Sequence, residues 1–177
     1  MSAGAVGAET SVDDITSVTV WNGGLYIATG EPNGANIYRW EPPGTYSVDT
    51  TAANWRKVNS ATGKIASSDT ANIDSIILKT YNGRLYAGSQ TAAGEDAGAL
   101  YEFDGTSGSW TLIGTKGTFG SQTSVNAVGT MIEYNGSLYI GTDDGTNNIG
   151  GVYSWSKTNK NSFALKFDSG NNNFTVS

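Results

Sequence analysis

Residues 21–30 read WNGGLYIATG, an Asn-Gly pair between two apolar runs. A type I′ turn needs positive φ at both central residues, and Asn and Gly tolerate it best, so Asn22-Gly23 predicts a two-residue β-hairpin. The stretch returns twice, as YNGRLYAGSQ at 81–90 and YNGSLYIGTD at 134–143. The turns recur after 60 residues (22 to 82) and again after 53 (82 to 135), the spacing of a supersecondary repeat.

Working outward, each turn is preceded by a β-branched or aliphatic run: ITSVTVW (15–21), IDSIILKTY (73–81) and VNAVGTMIEY (125–134). These are the expected first strands. The second strands follow at once as LYIATG, LYAGSQ and LYIGTD, with Leu25, Leu85 and Leu138 in one column and Tyr26, Tyr86 and Tyr139 on the opposite face. After a variable loop, third strands read NIYRW (36–40), ALYEF (99–103) and GVYSW (151–155); Tyr38, Tyr101 and Tyr153 align, and Trp40, Phe103 and Trp155 share their face. Fourth strands read WRKV (55–58), WTLIG (110–114) and FALKF (163–167). The predicted fold is all-β: an N-terminal arm over 1–12, then three four-stranded antiparallel units over 13–69, 70–123 and 124–177, the last carrying a C-terminal strand or tail.

Composition agrees. With 177 residues, 24 glycines, 37% hydrophobic and only 15% charged residues, the chain fits one strand-and-turn domain able to bury a core. The net charge of -6 repels phosphate backbones and anionic membrane surfaces, which excludes nucleic acid as the expected partner. No run approaches the roughly 20 apolar residues of a membrane span. There is no cysteine, hence no disulfide, thiolate nucleophile or soft metal site, and no histidine, hence no Ser-His-Asp or Cys-His chemistry. MSAGAVGAETSVDD lacks the basic and apolar regions of a secretory signal, so synthesis in the cytoplasm and release by lysis or within a particle is the expected route.

An aliphatic run, Tyr-Asn-Gly, Leu-Tyr-x-Gly, a loop, Gly-x-x-Tyr-x-aromatic and then Trp resembles the blades of kelch-type and related bacterial and phage β-propellers, over residues 13 to about 167. The kelch double glycine occurs only as Gly23-Gly24 and Gly150-Gly151, at non-equivalent positions, so the resemblance implies an architecture and not an activity. Propellers close with roughly 4 to 8 blades. Three blades would leave two apolar faces in water, and the economical completion is a homodimer in which two chains make a six-bladed ring. A trimer of nine blades and a prism of three sheets are the alternatives. NNNFTVS (171–177) stands where a next blade's first strand would begin and is expected either to pair with a partner chain or to fray.

Candidate ligand or partner residues lie in the loops after the second strands: Glu31 and Asn33 in the first, Glu95 and Asp96 in the second, and Asp143, Asp144, Asn147 and Asn148 in the third. TDDGTNN (142–148) offers hard oxygen donors that could hold Ca²⁺ but lacks the full EF-hand spacing; Asp, Asn and Gly also simply make turns. FDGTSGSW (103–110) resembles the Asp-box turn of sialidase propellers, yet arginines at 39, 56 and 84 do not supply that family's cluster. Trp21, Tyr81 and Tyr134 precede the turns in register, and recurrence at equivalent sites favours packing over a sugar platform.

No catalytic residue, cofactor or metal site is expected. The leading expectation is a non-catalytic structural or interaction protein of a phage virion, such as a head decoration, knob or fibre-associated protein, with itself and other virion proteins as partners. The alternative is a lectin that binds a cell-surface glycan through the loops on one propeller face, although those loops differ in length and chemistry.

Overall fold

The structure, a computed structural model, describes residues 6, 9–10, 12–32, 34–41, 54–70, 72–91, 98–106, 108–144, 150–158, 162–168 and 173–174. Among them it is all-β. The strands are β1 (Asp14–Trp21), β2 (Gly24–Gly30), β3 (Ile37–Trp40), β4 (Trp55–Lys57), β5 (Ser75–Tyr81), β6 (Arg84–Gln90), β7 (Leu100–Phe103), β8 (Trp110–Ile113), β9 (Ala127–Tyr134), β10 (Ser137–Asp143), β11 (Gly151–Trp155), β12 (Ala164–Asp168) and β13 (Asn173–Phe174).

Pairing is antiparallel throughout and forms three meanders, β1–β4, β5–β8 and β9–β12. Each opens with the Asn-Gly hairpin. Asn22, Asn82 and Asn135 have φ of 47°, 46° and 48°, and Gly23, Gly83 and Gly136 have 73°, 70° and 74°, so both turn residues occupy the left-handed region that a type I′ turn demands. Single residue pairs, Gly30↔Ser75 and Gln90↔Ala127, connect neighbouring meanders at strand ends and make one continuous hydrogen-bonded path.

The meanders also stack face on face. A strand sends alternate side chains to opposite faces, which gives every meander one face toward its predecessor and one toward its successor. Tyr26, Ala28 and Ile37 of the first meander pack with Leu78, Leu85, Tyr101 and Phe103 of the second. The opposite face of the second, with Tyr81, Tyr86 and Leu100, packs with Leu138, Ile140, Tyr153 and Trp155 of the third. The middle meander is therefore apolar on both sides.

The connectors between meanders share one design. After β4, residues Ala61 and Lys64 pair, Gly63 N–H donates to Ala35 O (3.1 Å), and Ala35 N–H to Ile73 O (3.0 Å). After β8, Thr115 and Thr118 pair, Gly117 N–H donates to Gly98 O (2.9 Å), and Gly98 N–H to Val125 O (3.0 Å). Ile65 and Phe119, placed alike in the two connectors, are both buried. At the C-terminus β13 is a strand, and it pairs with β12 of its own chain (Phe167↔Phe174, Asp168↔Asn173). At the N-terminus Val6 and Glu9 exchange two backbone hydrogen bonds of 3.0 Å.

Candidate functional site

The internal contacts between meanders recur at equivalent residues, and they define what the outer faces lack. At the first contact Trp21 and Tyr26 meet edge to face with ring centroids 6.0 Å apart, and Phe103 of the next meander completes the trio at 5.6 Å from Trp21 and 6.2 Å from Tyr26. The second contact repeats this. Tyr81 and Tyr86 are 5.9 Å apart, and Trp155 lies 5.9 Å from Tyr81 and 5.5 Å from Tyr86. Each trio also has a polar tie to the next turn: Trp21 Nε1–H donates to Gly83 O (2.9 Å) and the Tyr81 hydroxyl to Gly136 O (2.8 Å).

A third pair, Tyr134 and Tyr139, stands in the same register on the outer face of the third meander, 5.9 Å apart, with no third aromatic partner among the described residues. Its environment differs sharply. Tyr134 is 67% exposed where Tyr81 is 3% exposed. On the outer face of the first meander, Val18 (62%) and Val20 (63%) are exposed, whereas Leu78, at the position of Val18, is 7% exposed. Cross-strand pairing places Leu25 beside Val20 and Ile27 beside Val18 on this face. Among the described residues the large exposed apolar side chains are Ile15, Val18, Val20, Ile132, Tyr134 and Leu165, all on the first and third meanders. Trp40, at the position of Phe103 and Trp155, pairs with Trp55 at a centroid distance of 5.3 Å and is half-buried.

The carboxylates of the described residues that take part in ion pairs do so across strands and connectors. Glu41 meets Arg39 (3.7 Å) and Arg56 (3.2 Å), and Glu102 meets Arg84 (3.7 Å) and Lys157 (3.3 Å) of the third meander. Asp69 is the most embedded: its side chain accepts from Lys116 Nζ (2.6 Å), the Tyr101 hydroxyl (2.9 Å), Ile65 N–H (2.9 Å) and Ala66 N–H (2.8 Å). Burial, and then the Asp69 carboxylate, pushes the Tyr101 hydroxyl above its ordinary range. Burial does the same to Tyr86, beside Glu102, and to Tyr38, near Glu9 and Glu31.

The loop residues singled out in the sequence are not gathered into one site. Glu31 follows β2; its N–H donates to Asp74 O (2.7 Å) and its carbonyl accepts from Gly34 N–H (2.9 Å). Asp143 is exposed and its carbonyl accepts from Asn126 N–H (3.0 Å), while neighbouring Asp144 is buried and accepts from Gln122 Nε2 (3.3 Å). The first and third meanders that carry these acids have the second between them. Asn33, Glu95, Asp96, Asn147 and Asn148 lie outside the described residues. No cluster of three acidic side chains able to hold a metal occurs among the described residues. Asp104, in FDGTSGSW, caps a turn: it accepts from Ser109 and from Thr106 N–H (2.6 Å), which hold it below the usual carboxylate range.

A cleft of about 540 Å³ lies beside the second connector, lined by Gly114, Thr115, Thr118, Gly120, Ser162 and Phe163, with no titratable group. Among the described residues no helix is long and apolar enough to cross a membrane. In comparisons with known proteins, no family model and no curated protein matches this chain.

Proposed function

We propose that this chain is a non-catalytic structural protein that assembles with copies of itself through the outer faces of its first and third meanders. In this reading the meanders are blades of a β-propeller and two chains complete a six-bladed ring. The observation that carries it is the placement of exposed apolar side chains: Val18 and Val20 on the outer face of the first meander and Ile132 and Tyr134 on that of the third, with none among the described residues of the middle meander. Apolar surface left in water on both outer faces, with Val18 and Tyr134 at the positions where Leu78 and Tyr81 are buried in the middle meander, fits an interface. Assembly by packing alone also suits a chain without cysteine or histidine.

A particle built from many copies, such as a phage virion that carries this chain as a decoration, knob or fibre-associated subunit, is the setting proposed. The direct test is separation of particles from free protein after lysis. Sedimentation of the chain with the particle, and its release as an oligomer, supports the reading. Recovery of the chain only as free monomer contradicts it.

A further inference from the structure

Resting on that reading of self-assembly, we propose that Tyr134 and Tyr139 of one copy close on Trp40 and the Gly23 carbonyl of a second copy. This completes between chains the aromatic trio and the hydrogen bond that occur twice within one. The inference comes from register. Each internal trio has two members on the donor meander, the residue before the Asn-Gly turn and the second-strand tyrosine, and a third from the third strand of the next meander. Tyr134 and Tyr139 already hold the donor arrangement, at 5.9 Å and an interplanar angle of 66°. The equivalent pairs stand at 6.0 Å and 61°, and at 5.9 Å and 51°.

The acceptor residues lie at the other end of the stack. Trp40 has the register of Phe103 and Trp155, and Gly23 that of Gly83 and Gly136, the turn glycines whose carbonyls accept from Trp21 and Tyr81. The second copy is therefore engaged last face to first face, a heterologous contact, and not through two identical faces. Twofold closure uses this contact twice. The occupant is a copy of the chain because the first meander presents, in matching positions, what Tyr134 and Tyr139 lack: an indole at the third strand and a turn carbonyl.

Complementation tests the proposal. A first-face variant, Val18→Asp with Val20→Asp, and a last-face variant, Ile132→Asp with Tyr134→Ala, alter exposed side chains and leave the two internal cores intact. Each variant is expected to stay monomeric alone, while a 1:1 mixture at high concentration forms a two-chain species through its one intact pair of faces. Self-association of either variant alone, or a mixture that stays monomeric, overturns the proposed contact. Tyr134→Phe, which removes only the hydroxyl, is expected to raise the dimer Kd on the order of 25-fold, from two lost hydrogen bonds at roughly fivefold each. An unchanged Kd overturns the hydrogen bond to Gly23. A monomeric wild-type chain would sink the assembly reading itself, whereas an assembling wild type that fails complementation would sink only this register.

Discussion

At the scale of single residues, Asp69 joins three parts of the molecule that the strand pattern leaves separate. Its carboxylate satisfies two backbone N–H groups of the first connector, the Tyr101 hydroxyl of the second meander and Lys116 of the second connector. Removing it strands several buried polar groups together, so Asp69→Ala is expected to cost about 3 kcal/mol and to lower Tm by roughly 6–12 °C, read by thermal melting. The tyrosines give a pH signature. Burial raises Tyr38, Tyr86 and Tyr101 above the ordinary value of 10.0, so the folded chain favours their neutral forms. Their contribution to stability is intact below pH 10 and is lost as pH rises beyond it, because the unfolded chain ionises first. An ultraviolet titration should show these three phenols ionising only with unfolding; smooth ionisation of all nine tyrosines near pH 10 in a folded chain would contradict this.

At the scale of elements, the hairpins were legible because a two-residue type I′ turn has a narrow chemistry. The strands predicted around each Asn-Gly pair match β1, β2, β5, β6, β9 and β10 to within two residues at either end. The tyrosine columns were legible for the same reason, since period-two alternation sorts side chains onto faces. The connectors were not legible. Their order comes from pairings such as Gly63 to Ala35 and Gly117 to Gly98, set by tertiary approach and not by local pattern, and Asp69 in SSDTAN carries no signal that separates it from a turn residue. Pairing of β13 with β12 likewise carries no local signal in NNNFTVS. Two glycines separate strain from packing. A Cβ on Gly83 (φ +70°) meets nothing within 4 Å, so Gly83→Ala is expected to cost about 1–2 kcal/mol through its backbone alone. A Cβ on Gly88 would stand 2.4 Å from Val128 Cγ1, so Gly88→Ala is expected to cost about 1–3 kcal/mol by overpacking the contact between the second and third meanders. In urea melts, Val128→Ala should recover part of the loss in Gly88→Ala and none of that in Gly83→Ala; equal effects would contradict the distinction.

At the scale of the whole molecule, the same alternation that builds two buried cores leaves exposed apolar side chains on the outer faces of the first and third meanders, although Ile27 and Tyr38 on the first are buried. Stacked sheets that bury apolar surface only against neighbours share the difficulty of all repeat architectures, whose terminal units need a polar cap or a partner. The exposed Val18, Val20, Ile132 and Tyr134 of the outer faces are apolar. The count of hairpins raises the expectation of open apolar faces, but it does not indicate which side chains stand exposed. That Tyr134 would differ from its equivalents Trp21 and Tyr81 depends on the order of the stack, which the three-dimensional contacts reveal. Sedimentation equilibrium over a wide concentration range reads self-completion as a change in mass. A species of twice the 18.5 kDa chain mass that dissociates on dilution is expected; a folded single chain of 18.5 kDa at every concentration would contradict self-completion.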